Sequence, residues 1–154
     1  MKDELGARMK ADYEDALRLY VPRRTHVVLR LDGRGFHRFT ASLERPYSRH
    51  LADAMDEAAL RLCQEMIGCR FAYGQSDEYS FVLSDQEPPT APLWFDGNIQ
   101  KMVSVSASLF TGFFNQAFKG EAPGAFDSRL LVIAQRTEVK NICFGDNWTP
   151  PPTA

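Results

Sequence analysis

The chain opens on a helical period. Leu5, Met9, Ala16, Leu17 and Tyr20 recur at spacings near 3.6 residues, and Pro22 ends the run, so the first twenty residues predict a helix. Over residues 25–32 the period drops to two. Val27, Leu29 and Leu31 take one face, and His26, Val28, Arg30 and Asp32 the other. That alternation predicts a strand with Asp32 at its exit and the turn Gly33-Arg34-Gly35 behind it. The helical period returns over residues 48–67, where Leu51, Met55, Ala59, Leu62 and Met66 form an apolar stripe and Gly68 stands in the C-capping place. Residues 69–73 and 79–83 predict two short strands, with the polar Gly74-Gln75-Ser76-Asp77 and then Glu78 between them, as in a hairpin. Beyond a proline-rich loop at 86–92, a third helix is predicted over 98–118, with Ile99, Met102, Val103, Ser106, Phe110, Phe113 and Phe114 inward. Residues 126–134 predict the last strand, and 147–154, with Pro150, Pro151 and Pro152, a flexible tail.

After the leading helix the order is strand, helix, strand, strand, helix, strand. This is the split βαβ pattern. The expected fold is therefore α+β and ferredoxin-like (βαββαβ), with an antiparallel sheet, two helices on one face and an extra N-terminal helix. A length of 154 residues, 44% hydrophobic and 25% charged, suits one domain with a real core. No apolar run reaches the roughly 18 residues of a membrane span, and the N-terminus lacks the apolar core of a signal peptide. No membrane partner and a cytoplasmic location are expected. Cys63, Cys69 and Cys143 are odd in number and lack C-x-x-C spacing, so reduced thiols are expected rather than a disulfide framework or a zinc knuckle. The net charge of −2 argues against a strongly basic nucleic-acid binder, but its distribution is uneven. Arg23, Arg24, Arg30, Arg34, Arg38, Arg45 and Arg49, with all three histidines, crowd residues 22–50, a surface suited to phosphates.

In this topology the first strand is central, so Asp32 at its exit and Asp77 in the hairpin meet at one end of the sheet. Two carboxylates so placed repel unless cations hold them. A pair of Mg²⁺ ions, about 3.5–4 Å apart, resolves the conflict and suits attack by a hydroxyl on a triphosphate. Magnesium takes hard oxygen ligands, the Gly33 carbonyl among the candidates, and completes its shell with water and phosphate. Gly33 and Gly35 free the following backbone N–H groups to close on phosphate oxygens, with Arg34, His37 and Arg38 adding charge nearby.

Residues 30–39 (RLDGRGFHRF) and 73–81 (YGQSDEYSF) resemble the two signature blocks of tRNA-His guanylyltransferases, reverse (3′-to-5′) polymerases with a polymerase-type palm. Pro22-Arg23, Arg45-Pro46 and residues 126–129 (FDSR) add to the likeness, which covers residues 1–141 as the catalytic palm and leaves 142–154 as a divergent tail. The resemblance implies a Mg²⁺-dependent nucleotidyltransferase that adds a guanylate, or another nucleotide, to the 5′ end of tRNA in its maturation or 5′-end repair. A 5′-monophosphate is first activated with a nucleoside triphosphate, GTP or ATP, and the 3′-hydroxyl of an incoming GTP then attacks. By the family pattern Asp32 and Asp77 bind two Mg²⁺ ions and the Gly33 carbonyl binds one. Gly33, Arg34, Gly35, Phe36 and His37 hold the triphosphate with Ser76, and Glu78 supports the catalytic acids from behind. Arg45 stands where many members carry lysine near the activating nucleotide. The family is oligomeric, and it continues with a Trp-Arg-Gln-type helix used for RNA-end binding and assembly. That motif is not matched after Asn141, so the expectation rests first on metal and triphosphate binding. Two other readings stay open: a palm-type nucleotide cyclase, and a non-catalytic RNA-recognition module in which Tyr79 and Phe81 alternate on one strand face as stacking aromatics.

Overall fold

The computed structural model describes residues 3–145 apart from 42, 44–47, 87, 89 and 121. A helix α1, Glu4–Met9, continues in wider π-type winding over Lys10–Asp15. The strand β1, His26–Gly33, is followed by a single helical turn α2, Phe36–Phe39. Helix α3, Arg49–Glu65, leads to β2, Cys69–Gln75, and β3, Glu78–Ser84. Helix α4, Ile99–Phe118, precedes β4, Phe126–Ile133, and a last helix α5, Arg136–Phe144. The sheet order is β2-β3-β1-β4, with every neighbouring pair antiparallel, which is the ferredoxin-like arrangement expected.

Local chemistry sets the element ends. Ser48 caps α3 by accepting from the Leu51 amide, and Asn98 caps α4 by accepting from the Lys101 amide at 3.0 Å. Inward residues of β1 and β3 (Val27, Leu29, Leu31, Tyr79, Phe81 and Leu83) meet Met55, Leu62, Met102, Phe110 and Phe114 of α3 and α4 in the main core. Tyr79 and Phe81 thus face the helices and are buried, which removes the stacking surface of the RNA-recognition reading. Alternation shows which residues share a face, not which face the helices will cover.

The opposite face is covered too. Val28, Val82 and Ile133 form a second cluster with Cys143 of α5. The boundary drawn after Asn141 therefore falls inside a helix: Ile142 and Phe144 pack on the sheet beside Cys143, and 146–154 lie outside the described residues. The N-terminal helix is shorter than its period predicts, ending at Asp15 rather than near residue 20. Its stripe is unburied, Leu5 being 60% and Leu17 83% exposed.

The three cysteines are free, and two of them touch. Cys69, entering β2, donates to the Cys63 sulfur of α3 across 3.6 Å. That hydrogen bond lowers the Cys63 pKa and, together with burial, raises that of Cys69. Burial also raises Cys143. Because the thiolate is the nucleophile, iodoacetamide near pH 8 is expected to alkylate Cys63 ahead of the other two. Peptide mapping that finds Cys69 or Cys143 labelled first would contradict this.

Candidate active site

The end of β1 carries a row of carboxylates. Asp32 stands opposite Glu78 on β3 and opposite Asp127 on β4, and one step back Arg30 stands opposite Ser80 and Arg129. The two rows pair diagonally. Arg129 reaches the Asp32 carboxylate at 3.1 Å and Asp127 at 3.5 Å, while Arg30 Nε lies 3.1 Å from Glu78. Arg30 is itself fixed by donating to the Ile142 carbonyl of α5 at 2.6 Å. Asp77 follows in the two-residue turn Ser76-Asp77, where Ser76 takes a left-handed φ of 59° and its hydroxyl donates to the Asp77 carboxylate at 3.1 Å. The Gly33 amide donates to the Asp77 carbonyl at 3.1 Å, fastening the exit of β1 to the hairpin turn. In these rows and the adjoining turn, four carboxylates meet two guanidiniums, leaving two negative charges at one end of the sheet.

Among the described residues no group of three or more His, Cys, Asp or Glu side chains is gathered for a metal. Magnesium does not require one, since it is commonly held by one or two carboxylates with water and substrate phosphate completing the shell. The hard-oxygen donors and the two uncompensated charges fit a divalent cation.

The glycine turn is built as a cradle. Gly35 has φ +68°, and a Cβ added there would meet nothing within 4 Å. Gly33 is the reverse: a Cβ there would strike the ring of Phe36, so this glycine lets the loop fold down onto that ring. Phe36 is buried, with ring centroids 4.8 Å from Phe39, 5.9 Å from Phe114 and 5.0 Å from Phe126. It anchors the loop to the core while Arg34, Gly35 and His37 stay exposed, and the Arg34 amide donates to the Ala125 carbonyl at 2.8 Å.

Beside the cradle lies a cavity of about 810 Å³, between α2, α3 and the β2–β3 turn. Of the residues singled out in the sequence, Phe36, His37, Ser76 and Asp77 line it. Asp32, Gly33, Arg34, Gly35 and Glu78 belong to the strand end and turn outside that lining, and Asp32 is directed to Arg129 on β4. Arg45 lies outside the described residues. Sequence reasoning missed Asp56 of α3, which lines the cavity and accepts a hydrogen bond from the Tyr79 hydroxyl. Nothing in the chain signals it, because Asp56 follows Met55 as an ordinary polar position of an amphipathic helix.

Gly35→Val is expected to weaken GTP binding while costing about 1–2 kcal/mol, the penalty for an L-residue in left-handed backbone. A titration with unchanged GTP affinity in a folded variant would show the turn to be structural only.

A family model described as tRNAHis guanylyltransferase matches residues 6–134. Among curated proteins, the chain is 38% identical over 111 residues to the tRNA(His) guanylyltransferase of Schizosaccharomyces pombe, covering 71% of this chain and 39% of that protein. It is 34% identical over 124 residues to the probable tRNA(His) guanylyltransferase of Dictyostelium discoideum, covering 75% of this chain and 46% of that one. The chain thus spans less than half the length of these relatives. Among solved structures, a bacterial tRNA(His) guanylyltransferase-like protein in complex with GTP superposes with a TM-score of 0.84 at 37% identity, over 91% of this chain and 68% of the other. One in complex with ATP gives 0.83 at 36% identity, over 90% of this chain and 63% of the other. With its antiparallel sheet, its glycine turn and its hairpin acids in this order, the chain belongs to the tRNAHis guanylyltransferase family.

Proposed function

We propose that this chain is a Mg²⁺-dependent nucleotidyltransferase that adds a guanylate to the 5′ end of tRNA, in the 3′-to-5′ direction, using GTP and ATP. The observation that carries the reading is the joining of two features at one end of the sheet. One is the carboxylate row around Asp32. The other is a nucleotide-sized cavity bounded by His37, Ser76 and Asp77. Asp32, Asp77 and the Gly33 carbonyl would hold the ions. Bound there, Mg²⁺ supplies charge neutralisation on the triphosphate and a lowered pKa for the attacking hydroxyl.

The protein's own groups do the positioning. The Gly35, Phe36 and His37 amides are the N–H donors offered to phosphate oxygens, those of Gly33 and Arg34 being bonded to the Asp77 and Ala125 carbonyls, and Phe36 anchors the loop to the core. His37 and Ser76 stand on the cavity wall where a nucleotide's polar groups reach them. Arg129 and Arg30 hold Asp32 and Glu78 in place before substrate arrives. A likeness to proteins in complex with GTP and with ATP supports both nucleotides as ligands. The test incubates the chain with labelled GTP, ATP, Mg²⁺ and a 5′-monophosphorylated tRNA. A product one nucleotide longer at its 5′ end is expected, and label at the 3′ end, or a cyclic nucleotide with no RNA labelled, would overturn the reading.

A further inference from the structure

A second cavity, of about 520 Å³, lies between α5 and the sheet face that α5 covers. We propose that it seats one unpaired nucleotide of the RNA chain, and this rests on the RNA-partner reading above. Its cations come from two elements: Arg70 from β2, and Arg136 with Lys140 from α5, four residues apart and so on one helix face. Phe71, Val82 and Phe144 give it an apolar side, and its described lining residues include no carboxylate. Arg70 and Phe71, adjacent in sequence, both reach it because the β2–β3 register slips between Cys69 and Phe71. No side chain caps the N-terminus of α5, so the first amides of that helix add to the positive field beside Arg136.

The chemistry selects the ligand. Guanidinium and ammonium groups match phosphate oxygens, and an aromatic ring offers a base a face on which to stack. A volume of this size suits one nucleotide. A free triphosphate with its magnesium calls for acidic ligands and a glycine-rich wrap, and the described lining residues supply neither. An RNA phosphodiester needs only the cations. The cavity also lies along the path from the acid row. His26 lines it, and Asp32 is six residues further along β1, about 20 Å at the rise of an extended strand. Between them the Tyr73 and Phe144 rings meet edge-on at 4.6 Å, continuing the aromatic surface toward the active end.

The test uses the double variant Arg136→Ala, Lys140→Ala, two exposed positions outside the catalytic machinery. Binding of a labelled 5′-phosphorylated oligoribonucleotide is followed by anisotropy over a salt series, with Mg²⁺-dependent GTP binding measured alongside. We expect at least a tenfold loss of RNA affinity, and a log K against log salt slope shallower by about 1.4, the value for two phosphate contacts on a single strand. GTP binding should not change, and circular dichroism should match the parent. If the parent binds RNA and the double variant binds it with the same affinity and slope, the cavity proposal is wrong while the RNA-partner reading stands. A parent that binds no RNA overturns both. A variant that loses GTP rather than RNA marks the cavity as a free-nucleotide site and overturns the assignment.

Discussion

Asp32→Asn and Asp77→Asn are each expected to lower GTP transfer by more than about 100-fold, the upper range for losing even an outer partner of a metal ligand. The double variant should lose little more, because groups that act as one unit are not additive. Asparagine keeps the shape of the side chain and removes the charge that balances a cation. Stability should barely change at either position. At Asp32 the charge lost is the partner of Arg129, in a pair whose side chains are 35% and 61% exposed. Exposed pairs contribute about 0–1 kcal/mol, and Arg129 keeps Asp127 at 3.5 Å. Transfer assays beside urea melts separate the outcomes. Full transfer in both single variants, or a double variant that loses the product of the two single losses, would contradict a shared metal site.

Arg23→Ala is expected to destabilise the fold by about 2–3 kcal/mol, somewhat less than the roughly 3–5 kcal/mol for breaking a fully buried pair. Its partner Asp85, just past β3, is only 1% exposed. Arg23 Nε lies 2.9 Å from Asp85 Oδ2, yet that oxygen makes no properly aligned hydrogen bond, so the attraction there is chiefly coulombic. The other oxygen accepts from the Arg24 amide at 3.0 Å, at a residue with φ 62°. Arg23 also donates to the Ala91 carbonyl at 3.0 Å, tying the approach to β1 to the loop before α4. Removing the arginine strands a buried carboxylate. Asp85→Asn removes the charge as well and keeps the Arg24 contact, so its loss should be smaller. Denaturant midpoints in which Asp85→Asn costs as much as Arg23→Ala would show that packing, not charge, governs this site.

Most of the architecture was legible because β1, α3 and α4 have their periods enforced by burial. Val27, Leu29 and Leu31, or Met55, Ala59 and Leu62, are the positions a core must take. The amphipathic N-terminal stripe misled, since period reports what a helix could bury and the structure leaves Leu5 and Leu17 outside. Helix α5 was missed although Val139, Ile142 and Cys143 have helical spacing, because Gln135 is a poor N-cap and nothing marks the start. Strand order alone brings the exit of β1 and the hairpin turn to one end of the sheet, where the Gly33 amide bonds the Asp77 carbonyl. The pairing of Asp32 with Arg129, 97 residues away, was not legible. It depends on the β1–β4 register, which only the folded sheet defines.

The most direct test of the account is a crystal structure of this chain with Mg²⁺ and a non-hydrolysable GTP analogue. The account predicts density for cations bridging Asp32 and Asp77, with the Gly33 carbonyl on one of them. It also predicts the triphosphate against the backbone of residues 33–37 and the nucleoside in the cavity beside His37 and Ser76. A triphosphate bound elsewhere, with Asp32 still paired to Arg129 and no cation at Asp77, would contradict it.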